Sequence, residues 1–186
     1  MMLLKIFSLL LATLTLLEAR PFPVTTPKLS GPCNSYDREK LNEGYYKCVY
    51  KDPDGIPTVG VGFNLEKFGA RQEIESVGAN YNAVLNGSQC LDDSQIERLF
   101  NMDMDSAVSC ASSWLSNWSE LSTSVESAVA DMAFNLGCVG LEQFRTFKSD
   151  LENKEFDAAA ADMQNSLWCR QVGSRCSRDV DCVRSG

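Results

Sequence analysis

The chain has 186 residues, which is enough for one domain or for two small lobes that share a core. It carries 17 Lys and Arg against 25 Asp and Glu, so its net charge of −8 argues against a nucleic-acid partner, which requires a basic surface. The sequence has no histidine, which excludes Ser-His-Asp and Cys-His catalysis and His-ligated zinc. Acid–base chemistry must therefore come from carboxylates, Lys, Tyr or Cys.

The N-terminus is typical of a secretory signal peptide, which we assign to residues 1–19. Lys5 supplies the positive charge, residues 6–17 are uncharged and mostly apolar, and Ala19 is a small residue suited to cleavage. The apolar run is too short to span a bilayer, and we predict no membrane anchor. We expect a secreted protein whose mature part starts with an irregular leader at 20–32, rich in Pro and Thr.

The cysteine count is eight, and all eight lie after the signal peptide. In an oxidising compartment an even number predicts four disulfides, and the absence of a CxxC pair argues against zinc; we predict no metal and no cofactor. The count alone leaves 105 pairings open. Two N-glycosylation sequons, at Asn86 and Asn117, suit the same compartment. The cysteines are Cys33, Cys48, Cys90, Cys110, Cys138, Cys169, Cys176 and Cys182.

The first half of the mature chain predicts a small sheet. A short polar helix over 35–42 ends at Glu43-Gly44, where glycine allows a left-handed cap. Within 45–64, two short apolar runs flank the segment 52–57, which is dense in turn-forming residues and indicates a hairpin or small sheet. Residues 65–90 give no clear assignment.

The second half has helical periodicity. Apolar residues between Ile96 and Ala111 predict a long helix, with Ser94 and Glu97 as its capping box. Those between Val125 and Leu136 predict the central core helix, with Thr123 and Glu126 as its capping box and Gly137 after its end. We predict an α+β fold, mainly α, in which the long helix joins a small β-sheet lobe to a helical lobe. Three shorter helices are predicted over 141–152, 155–166 and 174–184.

Two carboxylates are candidates for the chemistry. Glu43 lies at the C-terminal end of its helix, where the dipole and partial burial would raise its pKa and favour a general acid. Asp52 lies beside a turn where water can keep it ionised, and the hydroxyl of Thr58 could hold a water beside it. Judged by residue type alone, a helix-terminal Glu and a turn Asp are more often ordinary surface groups.

The spacing Glu43-x8-Asp52-x5-Thr58, set in EGYYKCVYKD and TVGVG, resembles the catalytic segment of phage-type lysozymes, the T-even phage class of glycoside hydrolase family 24. The resemblance covers about residues 36–180, and it implies the lysozyme-like two-lobed fold with a catalytic domain over 33–186. It continues through Leu99–Val108 in the lobe-linking helix, through Met132–Gly137 with Gly140 and Phe144, and through Phe156–Ala160 with Trp168, Gln171, Arg175 and Arg178.

The resemblance implies a muramidase that cleaves the β-1,4 bond between N-acetylmuramic acid and N-acetylglucosamine in peptidoglycan. Glu43 would be the general acid, Asp52 the base or electrostatic partner, and Thr58 the group that orients water. Inversion is implied, which requires roughly 6.5–9.5 Å between the carboxyl groups. Arg175 matches an arginine that faces the catalytic Glu, where an ion pair would lower the pKa of Glu43; the alternative is a plain surface charge.

By the same resemblance, Asn64, Phe134 and Asn135 match positions that line the substrate cleft. Ordinary alternatives are a turn Asn, a core aromatic and an Asn at a helix C-terminus. The three tryptophans could stack on sugars, although burial explains them better. Phe63 replaces a His of the family while its partner is retained as Asp103, so we expect that ion pair to be lost. Placement in the small lobe implies that Cys48 pairs with Cys90.

We expect a monomeric, secreted lysozyme of an animal type that acts on bacteria in innate immune defence or in digestion. The alternative is a non-catalytic wall-binding or toxin-like protein on the same fold, and a chitinase side activity stays open. Bacterial walls are anionic and repel a protein of charge −8. Either salt screens the repulsion, or the charge is uneven, with a basic end. The candidates for that end are Arg170, Arg175, Arg178 and Arg184.

Overall fold

The computed structural model describes Cys33 and residues 44–186. The predicted signal peptide at 1–19, the leader at 20–32, the helix over 35–42 and Glu43 lie outside the described residues. None of the described helices is long and apolar enough to cross a membrane.

The small lobe contains an antiparallel sheet of three strands in the order β1-β2-β3. These are β1 (Tyr46–Lys51), β2 (Pro57–Gly60) and β3 (Phe63–Asn64). The turn between β1 and β2 lies where the sequence predicts it. The second predicted run divides into two strands because Gly60 (φ 68°) and Gly62 (φ 71°) take positive φ and reverse the chain.

Helices make up most of the rest of the described chain, so the predicted α+β class is confirmed. The predicted long helix is present and spans 22 residues, but its capping box is formed by Asp92 and Gln95, two residues earlier than expected. Two short helices occupy the unassigned segment, and one near the C-terminus was not predicted. The helices are α1 (Ala70–Ser76), α2 (Tyr81–Leu85), α3 (Asp93–Trp114), α4 (Thr123–Leu141), α5 (Arg145–Glu152), α6 (Phe156–Asn165), α7 (Leu167–Val172) and α8 (Ser174–Arg184), with a 3-10 turn at Trp118–Glu120.

The central helix α4 is capped by Ser122, whose hydroxyl accepts from the Val125 N–H at 3.3 Å, one residue before the predicted cap at Thr123. It is interrupted at Gly137, as the sequence indicates. The backbone there has φ 67° and ψ 170°, a conformation available essentially to glycine alone. One further helical turn runs to Leu141.

Two separate hydrophobic cores flank the long helix α3. Ile96, Leu99 and Met104, from its N-terminal half, pack into the small lobe. Ala107 and Ala111, from its C-terminal half, pack into the helical lobe around α4. The helix thus joins two lobes that each bury their own apolar surface, as predicted.

All eight cysteines form disulfides, which confirms the four predicted bridges. The bridge between Cys48 and Cys90 implied by the resemblance is among them and closes the small lobe. Cys110 and Cys138 join α3 to α4, directly after the break at Gly137. The other pairs are Cys33–Cys182 and Cys169–Cys176.

The disulfides should differ in what they contribute to stability. Cys33–Cys182 spans 149 residues and Cys169–Cys176 spans 7, while each pair has one buried and one partly buried cysteine. Because a longer loop loses more entropy in the unfolded chain, replacing Cys33 and Cys182 by Ala should cost roughly 2–3 kcal/mol more than replacing Cys169 and Cys176. Urea unfolding measures both, and equal losses would contradict this explanation.

Candidate active site

The turn between β1 and β2 fixes Asp52 through the backbone. Asp52 Oδ1 accepts the N–H groups of Asp54 (2.9 Å) and Ile56 (2.8 Å). The carbonyl of Ile56 accepts two bonds in return, one from the Asp52 N–H and one from the Thr58 hydroxyl, each at 3.1 Å. The peptide groups of Ile56 therefore tie the carboxylate and the hydroxyl to one another.

The side chains of Asp52 and Thr58 each have an oxygen that can accept a further hydrogen bond. Asp52 is half-buried, and its Oδ2 makes no hydrogen bond within the described part of the chain. Thr58 is buried on the central strand, paired with Tyr50 on one side and Asn64 on the other. Because its hydroxyl proton points at Ile56, the lone pairs of Oγ1 are free to accept. A water placed there could donate one proton to Asp52 and the other to Thr58.

A cleft of about 460 Å³ lies between the two lobes. Asn64 lines it from the small lobe, and Phe134 and Asn135 line it from α4, so the structure brings the three predicted sugar contacts to one cavity. Asn64 is also the strand neighbour of Thr58, which connects the turn that holds Asp52 to this cleft. Asp52 and Thr58 are not among the residues that line the cleft. A second depression of about 610 Å³, lined by residues of α3 and α4, contains none of the three predicted sugar contacts.

Each of the three cleft side chains is held in place by a hydrogen bond or a ring contact. Asn64 Oδ1 accepts the Glu66 N–H at 2.7 Å. Asn135 Oδ1 accepts from the buried indole of Trp168 at 2.8 Å, which leaves the amide NH₂ of Asn135 as a donor. Phe134 packs edge-to-face on Phe100, with ring centroids 5.7 Å apart, and contacts both cores.

Comparison with known proteins agrees with this arrangement. Residues 40–178 match the phage lysozyme family. The chain belongs to the phage lysozyme family. It is therefore a lysozyme hydrolase, and peptidoglycan is the substrate class that the family implies.

Individual relatives cover most of the chain. Two proteins of Dictyostelium discoideum, named probable T4-type lysozymes 2 and 1, are 27% and 26% identical over 158 residues, which is 81% of this chain and 93% of each relative. The pre-baseplate central spike protein Gp5 of Enterobacteria phage T4 is 26% identical over 161 residues, which is 79% of this chain and 27% of Gp5. Within the Dictyostelium proteins the match extends over nearly their whole length.

Arg175 is buried on α8, so the alternative of a plain surface charge is wrong. Its Nε donates to Asp131 Oδ2 at 2.9 Å, and its Nη2 donates to the Asp131 carbonyl at 3.4 Å. Asp131 is itself buried on α4. This ion pair holds the guanidinium between the two helices, while the expected partner Glu43 lies outside the described residues.

The pair between Asp103 and the family's His is lost, as expected, because Phe63 stands in that place, but Asp103 pairs with a different cation. Lys67 supplies the cation: its ammonium contacts Asp103 and Glu73, the latter at 2.8 Å, and lies 4.1 Å from the centre of the Phe63 ring. Phe63, in the place of the His, forms one wall of this lysine site. Lys67 and Asp103 both line the cleft. In the sequence, the signal for this cation was that Asp103 is retained although the His that pairs with it in the family is absent.

The start of β1 is tied to the start of α3. The Tyr45 hydroxyl donates to Asp93, and Lys47 pairs with the same carboxylate at 2.9 Å. Burial raises the pKa of Tyr45 to about 12, and its bond to Asp93 adds to the shift. The hydrogen bond from Tyr45 lowers the pKa of Asp93, as does Lys47. These contacts anchor the chain two residues after Glu43.

The partly buried carboxyl of Asp103 predicts a pH dependence. Burial raises its pKa, and Lys67 offsets only part of that effect. A raised pKa in the folded state gives stability that is complete below the unfolded pKa of about 3.9 and lost as pH rises through the folded value. Relative to the parent protein, Asp103→Asn should therefore gain stability between pH 3 and pH 7 in urea unfolding.

A second variant checks the sign of this effect. Lys67→Met removes the compensating charge, so it should steepen the loss of stability with rising pH. An Asp103→Asn protein whose stability parallels that of the parent at every pH would contradict the argument.

Proposed function

We propose that the protein is a secreted muramidase that hydrolyses the β-1,4 bond between N-acetylmuramic acid and N-acetylglucosamine, with inversion. The observation that carries the proposal is the paired anchoring of Asp52 and Thr58 on Ile56, beside a cleft lined from both lobes. Family membership supports the same substrate.

In the proposed mechanism, Glu43 protonates the glycosidic oxygen as the bond to the anomeric carbon breaks. A water attacks that carbon from the opposite face. The water donates one proton to Asp52 Oδ2 and directs the other toward Thr58 Oγ1. In this orientation a lone pair of the water oxygen points at the anomeric carbon. The new hydroxyl takes the inverted configuration, Asp52 holds the proton, and Glu43 is left as the carboxylate. No cofactor is required.

The disulfides support secretion, because such bridges persist in oxidising compartments. Asn86 is exposed at the end of α2 and is the better acceptor for a glycan. Asn117 is partly buried, and its amide nitrogen donates to the Leu151 carbonyl at 3.0 Å, so we propose that this second sequon stays unmodified. We propose a monomer that contributes to antibacterial defence or digests bacteria.

The alternative is a wall-binding or toxin-like protein without turnover. Its basis would be a cleft that binds glycan while the catalytic groups are misplaced. The supported orientation of Asp52 and Thr58 favours the enzyme, because a protein that only binds has no need of an oriented water acceptor. Chitin is a possible secondary substrate, since it shares the scissile linkage type.

Two substitutions test the catalytic assignment on a suspension of Gram-positive walls. Glu43→Gln removes the proton donor and Asp52→Asn removes the proton acceptor, so each should slow clearing about 100-fold or more. Thr58→Ala should be slower than Thr58→Ser, which keeps a hydroxyl at the same position.

Matched controls are available in the same turn and lobe. Asp54→Asn and Glu66→Gln change exposed carboxyls and should clear walls at the parental rate. Equal clearing by the parent, Glu43→Gln and Asp52→Asn would show that these residues are wrongly assigned. Failure of the parent protein across a range of salt and pH would favour the binding alternative.

The stereochemistry gives an independent test. If a water on the far side of the ring attacks directly, the first product formed from the β-linked chain is the α-anomer. Proton NMR during the first minutes of hydrolysis distinguishes the anomers before they equilibrate. An initial β-anomer would refute the inverting mechanism.

A further inference from the structure

Phe68 is an aromatic side chain that packs on nothing within the described part of the chain. It is fully exposed, whereas Phe63, five residues earlier, is buried in the core of the small lobe. Burying a phenylalanine favours folding, and a fully exposed one contributes nothing to the core. Folding therefore does not explain why an aromatic residue stands at this position.

The backbone holds Phe68 at the corner of a tight turn. The Lys67 carbonyl accepts the Ala70 N–H at 3.1 Å, and Gly69 has φ 85° and ψ −7°. These values define a type II turn with Phe68 at its second position and glycine at the third, where a positive φ is required. The side chain at the second position projects away from the turn.

Both ends of this turn are fixed. Ala70 is buried in the small-lobe core. The ammonium of Lys67 is held by Asp103 and Glu73 and lies over the Phe63 ring. Phe68 is therefore displayed by a rigid frame, so little backbone entropy has to be lost when a ligand contacts it.

The turn lies at the edge of the cleft. Lys67, its first residue, lines the cleft together with Asn64, and the two are joined by a 3.4 Å bond from the Lys67 N–H to the Asn64 carbonyl. Phe68 does not itself line the cavity, but it directly follows Lys67, which does. A polymer that runs along the cleft and leaves it on this side would meet the ring.

We propose that Phe68 is an aromatic subsite that stacks on a pyranose ring of the glycan strand, beyond the sugars that flank the scissile bond. The C–H groups on one face of a pyranose form an apolar surface that carries partial positive charge, which suits the electron-rich face of an aromatic ring. The contact is uncharged, so the repulsion between a −8 protein and an anionic wall does not weaken it. This inference rests on the proposed muramidase function and adds to it a preference for long strands.

The test compares two substrates, glycan strands freed of their stem peptides and a tetrasaccharide that occupies only the sugars around the cleaved bond. Phe68→Ala should raise KM for the long strands about three- to tenfold and leave kcat unchanged. On the tetrasaccharide both constants should match those of the parent. The thermal midpoint should not change, because the side chain makes no packing contact.

Two further substitutions separate stacking from simple apolar contact. Phe68→Trp keeps an aromatic face and should retain the parental KM on long strands. Phe68→Leu keeps apolar area without a flat ring and should behave like Phe68→Ala. Leu167→Ala removes an exposed apolar side chain from α7, which does not line the cleft, and should have no effect.

Several outcomes would overturn the subsite. An unchanged KM for Phe68→Ala on long strands, an equal rise on both substrates, or parental behaviour of Phe68→Leu would each contradict it. Binding of the long strands to Glu43→Gln, with and without Phe68→Ala, tests the subsite separately from turnover. If the parent protein hydrolyses neither substrate and also fails to clear walls, the proposed function fails, and the binding comparison still decides the role of Phe68.

Discussion

The structure depends on one helix being shared between two hydrophobic cores. Along α3 the buried residues belong first to the small lobe, through Leu99 and Met104, and then to the helical lobe, through Ala107 and Ala111. Because each lobe buries its own apolar surface, neither has to close over the other. The cleft between them is a consequence of that division, and Phe134, which contacts both cores, forms part of its wall.

The candidate groups beside this cleft are held mainly by backbone hydrogen bonds in short turns. The peptide groups of Ile56 orient Asp52 and Thr58, and the carbonyl of Lys67 closes the turn that displays Phe68. Backbone groups hold these side chains at little cost in conformational entropy, because the positions of the backbone groups are already set by the strands on either side. A site built this way loses little conformational entropy when a ligand binds, because its side chains are already held in place.

Sequence patterns predicted the elements that bury a regular apolar face, and they missed those that do not. The long helices α3 and α4 repeat apolar residues over several turns, whereas α1, α2 and α7 are 7, 5 and 6 residues long and too short for a period to emerge. Capping positions were misjudged because adjacent residues can all cap. Ser94 and Asp92 are both good caps, and only Asp92 has Gln95 placed to return the bond.

The family pattern predicted the site residues, but it did not predict the hydrogen bonds and ion pairs that hold them in place. Asn64, Phe134 and Asn135 do share one cleft, but a reading of side chains cannot reveal that the peptide groups of Ile56 connect Asp52 to Thr58. The pair of Lys67 with Asp103 joins residues 36 positions apart, so no local spacing indicates it. Long-range contacts of this kind are determined by the packing of the small lobe on α3.

A protein of charge −8 is repelled by an anionic wall. The structure shows which of its charges could offset that repulsion. The basic end expected near the C-terminus is smaller than predicted, because Arg175 is buried against Asp131. In the cleft, Lys67 is neutralised by its two carboxylate partners. Long-range attraction is therefore weak, while at physiological salt repulsion fades beyond about 8 Å. Under the proposed function, we expect affinity for the wall to come from short-range hydrogen bonds and aromatic contact inside and beside the cleft.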